Sequence, residues 1–240
     1  EDYQKLLREI RSLPGVKKVF VRSGLRYDYV LADHNKKFVE ELCQYHVSGQ
    51  LKVAPEHVVK HVTDLMGKAD IHAFLKFKDW FDEANRKLGK KQYLVPYFMS
   101  SHPGCTLNDA IALAEFLRDM HMQPEQVQDF IPTPGSLSTA MYYTGMNPLT
   151  GESVYVARRP EEKQMQRALM QYKNPANYDI VYKALCLAGR RDLIGFGPKC
   201  LIAPRSVRKE RGRQQHTASG HHAWRSPGRS KQRRAGRGKK

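Results

Sequence analysis

Four strings in this 240-residue sequence set polar and turn-forming residues at or just after apolar runs. They are Arg22-Ser23-Gly24-Leu25-Arg26-Tyr27-Asp28, Lys52-Val53-Ala54-Pro55-Glu56-His57, Ser100-Ser101-His102-Pro103-Gly104-Cys105-Thr106 and Pro132-Thr133-Pro134-Gly135-Ser136. Where the apolar runs are parallel strands, such residues stand at the carboxyl edge of the sheet, where α/β folds collect their chemistry. Each Pro-Gly step permits a tight turn and lets backbone approach a ligand closely. Thr106 and Asp109 have the spacing of a helix cap, so the amides from Gly104 to Leu107 should face that edge and suit a carboxylate or another anion. One such string reads as an ordinary strand-to-helix turn, and its repetition at two successive strands weakens that reading. Glu56 and His57 stay open between a ligand role and a helix start, where the helix dipole favours an acid. Arg26 and Asp28 stay open between a site and a solvated loop ion pair.

Other reactive residue types give less. Cys43, Cys105, Cys186 and Cys200 have no short repeated spacing, so they encode neither a disulfide framework nor a zinc knuckle and read as four reduced thiols. His102 has no partner at metal-ligand spacing. Cys105 lies near a helix start, but no base is close to it in sequence, and it is not read as a nucleophile. Phe74, Phe77, Trp80 and Phe81 recur at helical spacing and read as core rather than as a stacking platform.

The elements that must position these residues follow from periodicity and breakers. Helices are predicted over residues 1–13, 36–45, 57–66, 71–88, 110–120, 160–172 and 175–188, with stops such as Pro14-Gly15 and Gly89. Strands are predicted over 16–22, 50–54, 92–99 and 126–131, and residues 132–152 read as a Pro, Gly, Ser and Thr-rich loop. Alternation of helices with mostly unalternating strands argues for a parallel α/β sheet. Four strands cannot close a barrel of about eight, and the sequence opens at Glu1 inside a helix that ordinarily follows a strand. Both facts lead us to expect part of a larger barrel.

The formal charge of +17 is unevenly spread. Residues 205–240 hold 13 Lys and Arg against Glu210 alone, a net of +12, while the first 204 residues carry 28 basic and 23 acidic side chains. With few large apolar residues, that tail is expected to be a disordered basic extension. The reading divides the chain into residues 1–150, 151–204 and 205–240. No apolar run approaches the ~20 residues that span a bilayer, and a soluble cytoplasmic protein is expected.

Beyond these patterns, Ser23–Asp28, Gly49–His57, Tyr97–Gly104 and Gln126–Pro134 resemble the YgiQ family of radical S-adenosylmethionine proteins. The resemblance covers residues 1 to about 204, with Gln164–Tyr172 and Gly189–Gly195 similar to that family's carboxyl-terminal region, and leaves the basic tail outside. More distantly, His102–Thr106 is similar to the Pro-Gly turn after the fifth strand of radical S-adenosylmethionine barrels, and Phe130–Gly135 to the sixth strand of methylthiotransferases. The resemblance thus implies strands three to six of a six-stranded partial (β/α) barrel, with a helical carboxyl-terminal extension. It also implies a [4Fe-4S] cluster, S-adenosylmethionine, an electron donor and an unknown substrate. The cluster of such enzymes is held by a Cys-x-x-x-Cys-x-x-Cys loop, which this sequence lacks, so no metal ligand is assigned. The implied S-adenosylmethionine contacts are Lys52 and Glu56 for the methionine portion or ribose, Ser100, Ser101, His102 and Gly104 for the ribose and adenine side, and Gln128 to Phe130 for the adenine through backbone groups.

Two functions follow as expectations. The first is part of a radical S-adenosylmethionine iron–sulfur enzyme, inactive as this stretch alone. The second is a non-catalytic α/β module whose basic tail binds RNA or ribosomes. The tail's charge by itself implies nonspecific, salt-sensitive polyanion binding.

Overall fold

Phe74, Phe77 and Phe81 are fully buried, and the stripe they form decides which face of the sheet is covered. The computed structural model describes residues 2–32, 36–124 and 127–205. The stripe lies on helix α5 (Ile71–Leu88), which the Asp70 side chain caps by accepting the His72 amide and which Gly89 ends in a left-handed conformation. Phe74, Phe77 and Phe81 pack with Leu51 and Val53 of strand β1 (Gln50–Glu56), each ring worth roughly 1.5–3 kcal/mol of burial. Tyr27 and Val30 of α2 (Tyr27–Ala32) and Phe38 and Val39 of α3 (Lys37–Glu41) close the same cluster, together with Leu7 of α1 (Asp2–Ser12).

Strand β1 pairs in parallel with β2 (Tyr93–Ser100), and β2 pairs in parallel with β3 (Gln128–Asp129), giving the order β1-β2-β3. The register sets Gln50 opposite Tyr93 and Lys52 opposite Val95, with an irregularity between Val53 and Glu56. Along β1, Leu51, Val53 and Pro55 are buried, while Gln50 and Lys52 are exposed. On the covered face Phe98 meets Leu113 and Leu117 of α6 (Leu107–Asp119). Short helix α4 (Lys60–Met66) links β1 to α5. A further cluster joins Ile111 and Ala114 of α6 to Met165 and Leu169 of α8 (Pro160–Met170), and to Val181 and Leu185 of α9 (Tyr178–Leu187).

The sheet differs from the expected four strands. Residues 16–22 form no strand: Val21 donates to the His46 carbonyl at 2.9 Å, and sheet-like pairing begins only at the Leu25–Val53 bridge. Alternating apolar residues make a strand only where a neighbour takes their hydrogen bonds. The strand expected at 126–131 shortens to Gln128–Asp129 among the described residues. The loop expected at 132–152 contains helix α7 (Leu137–Thr144), capped by Ser136, whose side chain accepts the Thr139 amide, and ended by left-handed Gly145. The helix expected over 36–45 ends as a π turn, Leu42–His46. Residues 206–240 of the basic tail, expected to be disordered, lie outside the described residues.

Candidate functional site

The carboxyl edge of the sheet is built on β2, where the chain turns sharply after Ser100. Ser101 has φ +60, a left-handed conformation that a non-glycine residue adopts only when its surroundings hold it there. Gln166 of α8 supplies that hold. Its fully buried amide accepts the Ser101 N–H at 2.9 Å and donates to the Cys105 carbonyl at 3.0 Å, spanning the turn from end to end. Within the turn the Cys105 amide returns to the His102 carbonyl at 2.9 Å, and the Gly104 amide donates to the Tyr155 carbonyl at 2.7 Å. Gly104 has φ +92, a conformation that side-chain-bearing residues rarely adopt, and a Cβ there would press on Leu65 Cδ1, so the position favours glycine. Thr106 then caps α6 in a reciprocal box with Asp109, whose Oδ2 also lies 3.2 Å from His61 Nε2.

Two buried histidines flank the turn. His102 Nδ1 lies 2.7 Å from the Pro103 carbonyl, which can only accept, so the proton is on Nδ1; Nε2 then accepts the Ser138 hydroxyl at 2.8 Å. Burial pushes the His102 pKa down to about 4, keeping the ring neutral. Its edge meets Phe130 at 5.1 Å between centroids, and Phe130 in turn meets Tyr142 of α7 at 5.7 Å. On the other side, His57 Nδ1 accepts the Val59 amide at 3.2 Å, and its Nε2 lies 3.5 Å from Cys105 Sγ. Burial lowers the His57 pKa to about 4 and raises that of the Cys105 thiol. The pair is therefore a neutral imidazole and a neutral thiol. Beside them, Asp129 accepts the Ser100 hydroxyl and forms an ion pair with Arg167 at 3.1 Å, and the Phe130 amide donates to the Ser100 carbonyl at 2.8 Å.

The chain is similar to UPF0313 proteins. One from Clostridium perfringens (strain 13 / Type A) is 59% identical over 220 residues, 91% of this chain and 33% of that protein. Another, from Methanocella arvoryzae, is 57% identical over 212 residues, 88% of this chain and 35% of that protein. A third, from Clostridium botulinum (strain 657 / Type Ba4), is 56% identical over 202 residues, 84% of this chain and 32% of that protein. The chain thus spans about a third of the length of the curated relatives it matches. Residues 125–240 match a family described as a domain of unknown function (DUF3362). That match runs through the basic tail, which composition alone sets apart from the rest.

Within this UPF0313-like chain, Ser100, Ser101, His102, Gly104 and Phe130 do come together at the carboxyl edge. Gln128 is exposed beside them, paired through its backbone with Met99. Glu56 ends β1 at φ +66, with its carboxylate 3.4 Å from Lys68 Nζ; it belongs to the strand and does not open a helix. Lys52 lies earlier on β1, opposite Val95 where Glu56 is opposite Phe98, and so ~10 Å back along the sheet, on its open face. Sequence reasoning missed Gln166, Ser138 and Asp129, and it found no base for Cys105, because each partner is distant in the chain. Among the described residues no group of three or more His, Cys, Asp or Glu side chains could hold a metal ion, and no helix is long and apolar enough to cross a membrane.

Proposed function

We propose that the carboxyl edge of the sheet binds S-adenosylmethionine and that the chain is part of a radical S-adenosylmethionine protein whose substrate is still to be found. The supporting observation is a parallel sheet covered on one face, with the Gln166-clamped turn Ser100–Cys105 at its carboxyl edge. Parallel sheets are ordinarily covered on both faces. A single covered face suits a sector of a (β/α) barrel, whose other face turns toward the lumen.

The residues at the edge fit an adenosyl ligand. Ser101 Oγ is buried and without a hydrogen-bond partner among the described residues, Gln128 offers an exposed amide, and Phe130 offers a half-buried ring. Glu56 suits a ribose hydroxyl or an ammonium group. When bound, S-adenosylmethionine supplies the adenosyl group and a sulfonium leaving group. This chain's part is to orient them and to exclude water with the His102–Phe130–Tyr142 wall.

A [4Fe-4S] cluster does not fit the described residues. Its thiolates come from one short loop, whereas Cys43 sits in the α5 core, Cys105 abuts His57, and Cys186 and Cys200 lie in and beyond α9. On this reading the cluster ligands and the electron-donor surface belong to the parts of the longer relatives outside the match.

Equilibrium dialysis of the chain against labelled S-adenosylmethionine tests the proposal. Saturable binding is expected, weakened about fivefold or more by Ser101→Ala and by Phe130→Ala with the melting temperature retained. Binding that neither substitution alters removes the site. Absence of binding both here and in the anaerobically reconstituted Clostridium perfringens relative removes the function.

A further inference from the structure

The open face of the sheet carries a feature that the carboxyl edge does not use. A cleft of about 510 Å³ is lined by Gln50 and Lys52 of β1, Tyr93, Val95 and Tyr97 of β2, and Gln123. That size suits a small ring-bearing molecule. Lys52 is exposed and forms no ion pair among the described residues, and its Nζ stands 5.8 Å from the centre of the Tyr97 ring. No carboxylate lines the cleft among the described residues. Two other clefts offer no such unmatched cation. The one between α1 and α2 holds Arg26, already bound to Asp28 at 2.6 Å, and the one beside Gly104 is lined by Asp64 and Glu152. An unmatched ammonium at the cleft wall attracts an anion, Gln50 and Gln123 add amide donors, and Tyr93, 64% exposed, offers a free ring face.

We propose that this cleft binds a small ring-bearing anion, a carboxylate or phosphate carried on an aromatic or heterocyclic ring. Binding at Lys52 stands on the cleft alone. That such an anion is also the substrate class rests on the S-adenosylmethionine reading above, because the cleft and the carboxyl edge would then share one lumen.

Titration of the chain with benzoate, phenyl phosphate and benzamide, followed by ligand-observed NMR, tests it. The two anions are expected to bind about fivefold or more tightly than benzamide, as a charge-assisted contact requires. The tighter of the two anions identifies the charged group. Lys52→Met should abolish the preference, Lys52→Arg should keep it, and Tyr93→Ala should weaken all three probes. Anions that bind no better than benzamide, a preference that survives Lys52→Met, or no binding of any probe overturns the proposal. Dialysis of Lys52→Met against S-adenosylmethionine separates the two sites. Unchanged binding there, with the benzoate preference lost, is the expected result, whereas joint loss overturns a separate anion cleft.

Discussion

His57 Nε2 lies 3.5 Å from the Cys105 sulfur, 48 residues away in sequence, and both side chains are withdrawn from solvent. The Val59 amide occupies Nδ1, so the neutral ring carries its proton on Nε2 and points it at sulfur. A reactive cysteine needs a thiolate, and burial raises the Cys105 pKa while lowering that of its neighbour. The contact therefore joins the end of β1 to the β2 turn and does not generate a nucleophile. Native alkylation with iodoacetamide should label Cys186 and Cys200, both partly exposed, and reach Cys43 and Cys105 only in denaturant. Rapid native labelling of Cys105, located by peptide mass spectrometry, contradicts this.

Acid should unfold the body through its buried histidines. His57 and His102 each titrate near 4 when folded, against 6.5 when unfolded, because burial disfavours the imidazolium. Between those values the unfolded chain binds protons that the folded chain does not, so stability is full above pH 6.5 and falls as pH drops toward 4. Each histidine accounts for about 3 kcal/mol over that window. His102→Gln should flatten the slope of stability against pH between 6.5 and 4 by about one proton. A slope equal to that of the unsubstituted chain would mean that another group governs the acid transition.

Gln166 predicts a large cost from a single side chain. Its replacement by Leu strands the Ser101 amide and the Cys105 carbonyl in a buried turn, each worth about 1–3 kcal/mol when unsatisfied. Urea denaturation should show a loss of about 2–5 kcal/mol for Gln166→Leu. The exposed neighbour Arg167, by contrast, should cost under about 1 kcal/mol when replaced by Ala, since its ion pair with Asp129 faces solvent.

Gly104→Ala separates two kinds of strain. The φ of +92 penalises any side chain, and the added methyl meets Leu65 Cδ1. A loss of about 1–3 kcal/mol is expected. Leu65→Ala in the same chain should recover the steric part alone, which a double-mutant cycle measures. Additive losses in the cycle contradict the contact.

The elements set by long apolar patterns are legible in the sequence: the Phe74, Phe77 and Phe81 stripe, strand β2 and helix α8 all form where periodicity puts them. Helix α7 is not, because its Ser, Thr and Gly residues look like loop composition even though Ser136 and Gly145 are its caps. Residues 16–22 err in the other direction, with strand-like alternation but, among the described residues, no neighbouring strand to take their hydrogen bonds. At the candidate site, the turn Ser100–Thr106 is visible from its Pro-Gly step and cap. Gln166 is not visible, since one glutamine within a helix carries no local signal of the turn it clamps from 65 residues away.

The basic tail should bind polyanions through its charge alone. Residues 205–240 carry a net charge of +12 with few large apolar side chains, so the attraction they offer is to phosphate backbones and comes from counterion release rather than from base contacts. Retention of the chain on immobilised poly(U) is expected at low salt, with affinity falling steeply and linearly on a log–log plot against salt. A chain ending at Pro204 should lose most of that retention and keep its melting temperature, because the body holds its own apolar clusters. Changing the RNA sequence should alter little. Sequence-selective binding that survives both the deletion and moderate salt would instead place RNA recognition on the α/β body, and would favour the binding-module reading over the enzyme.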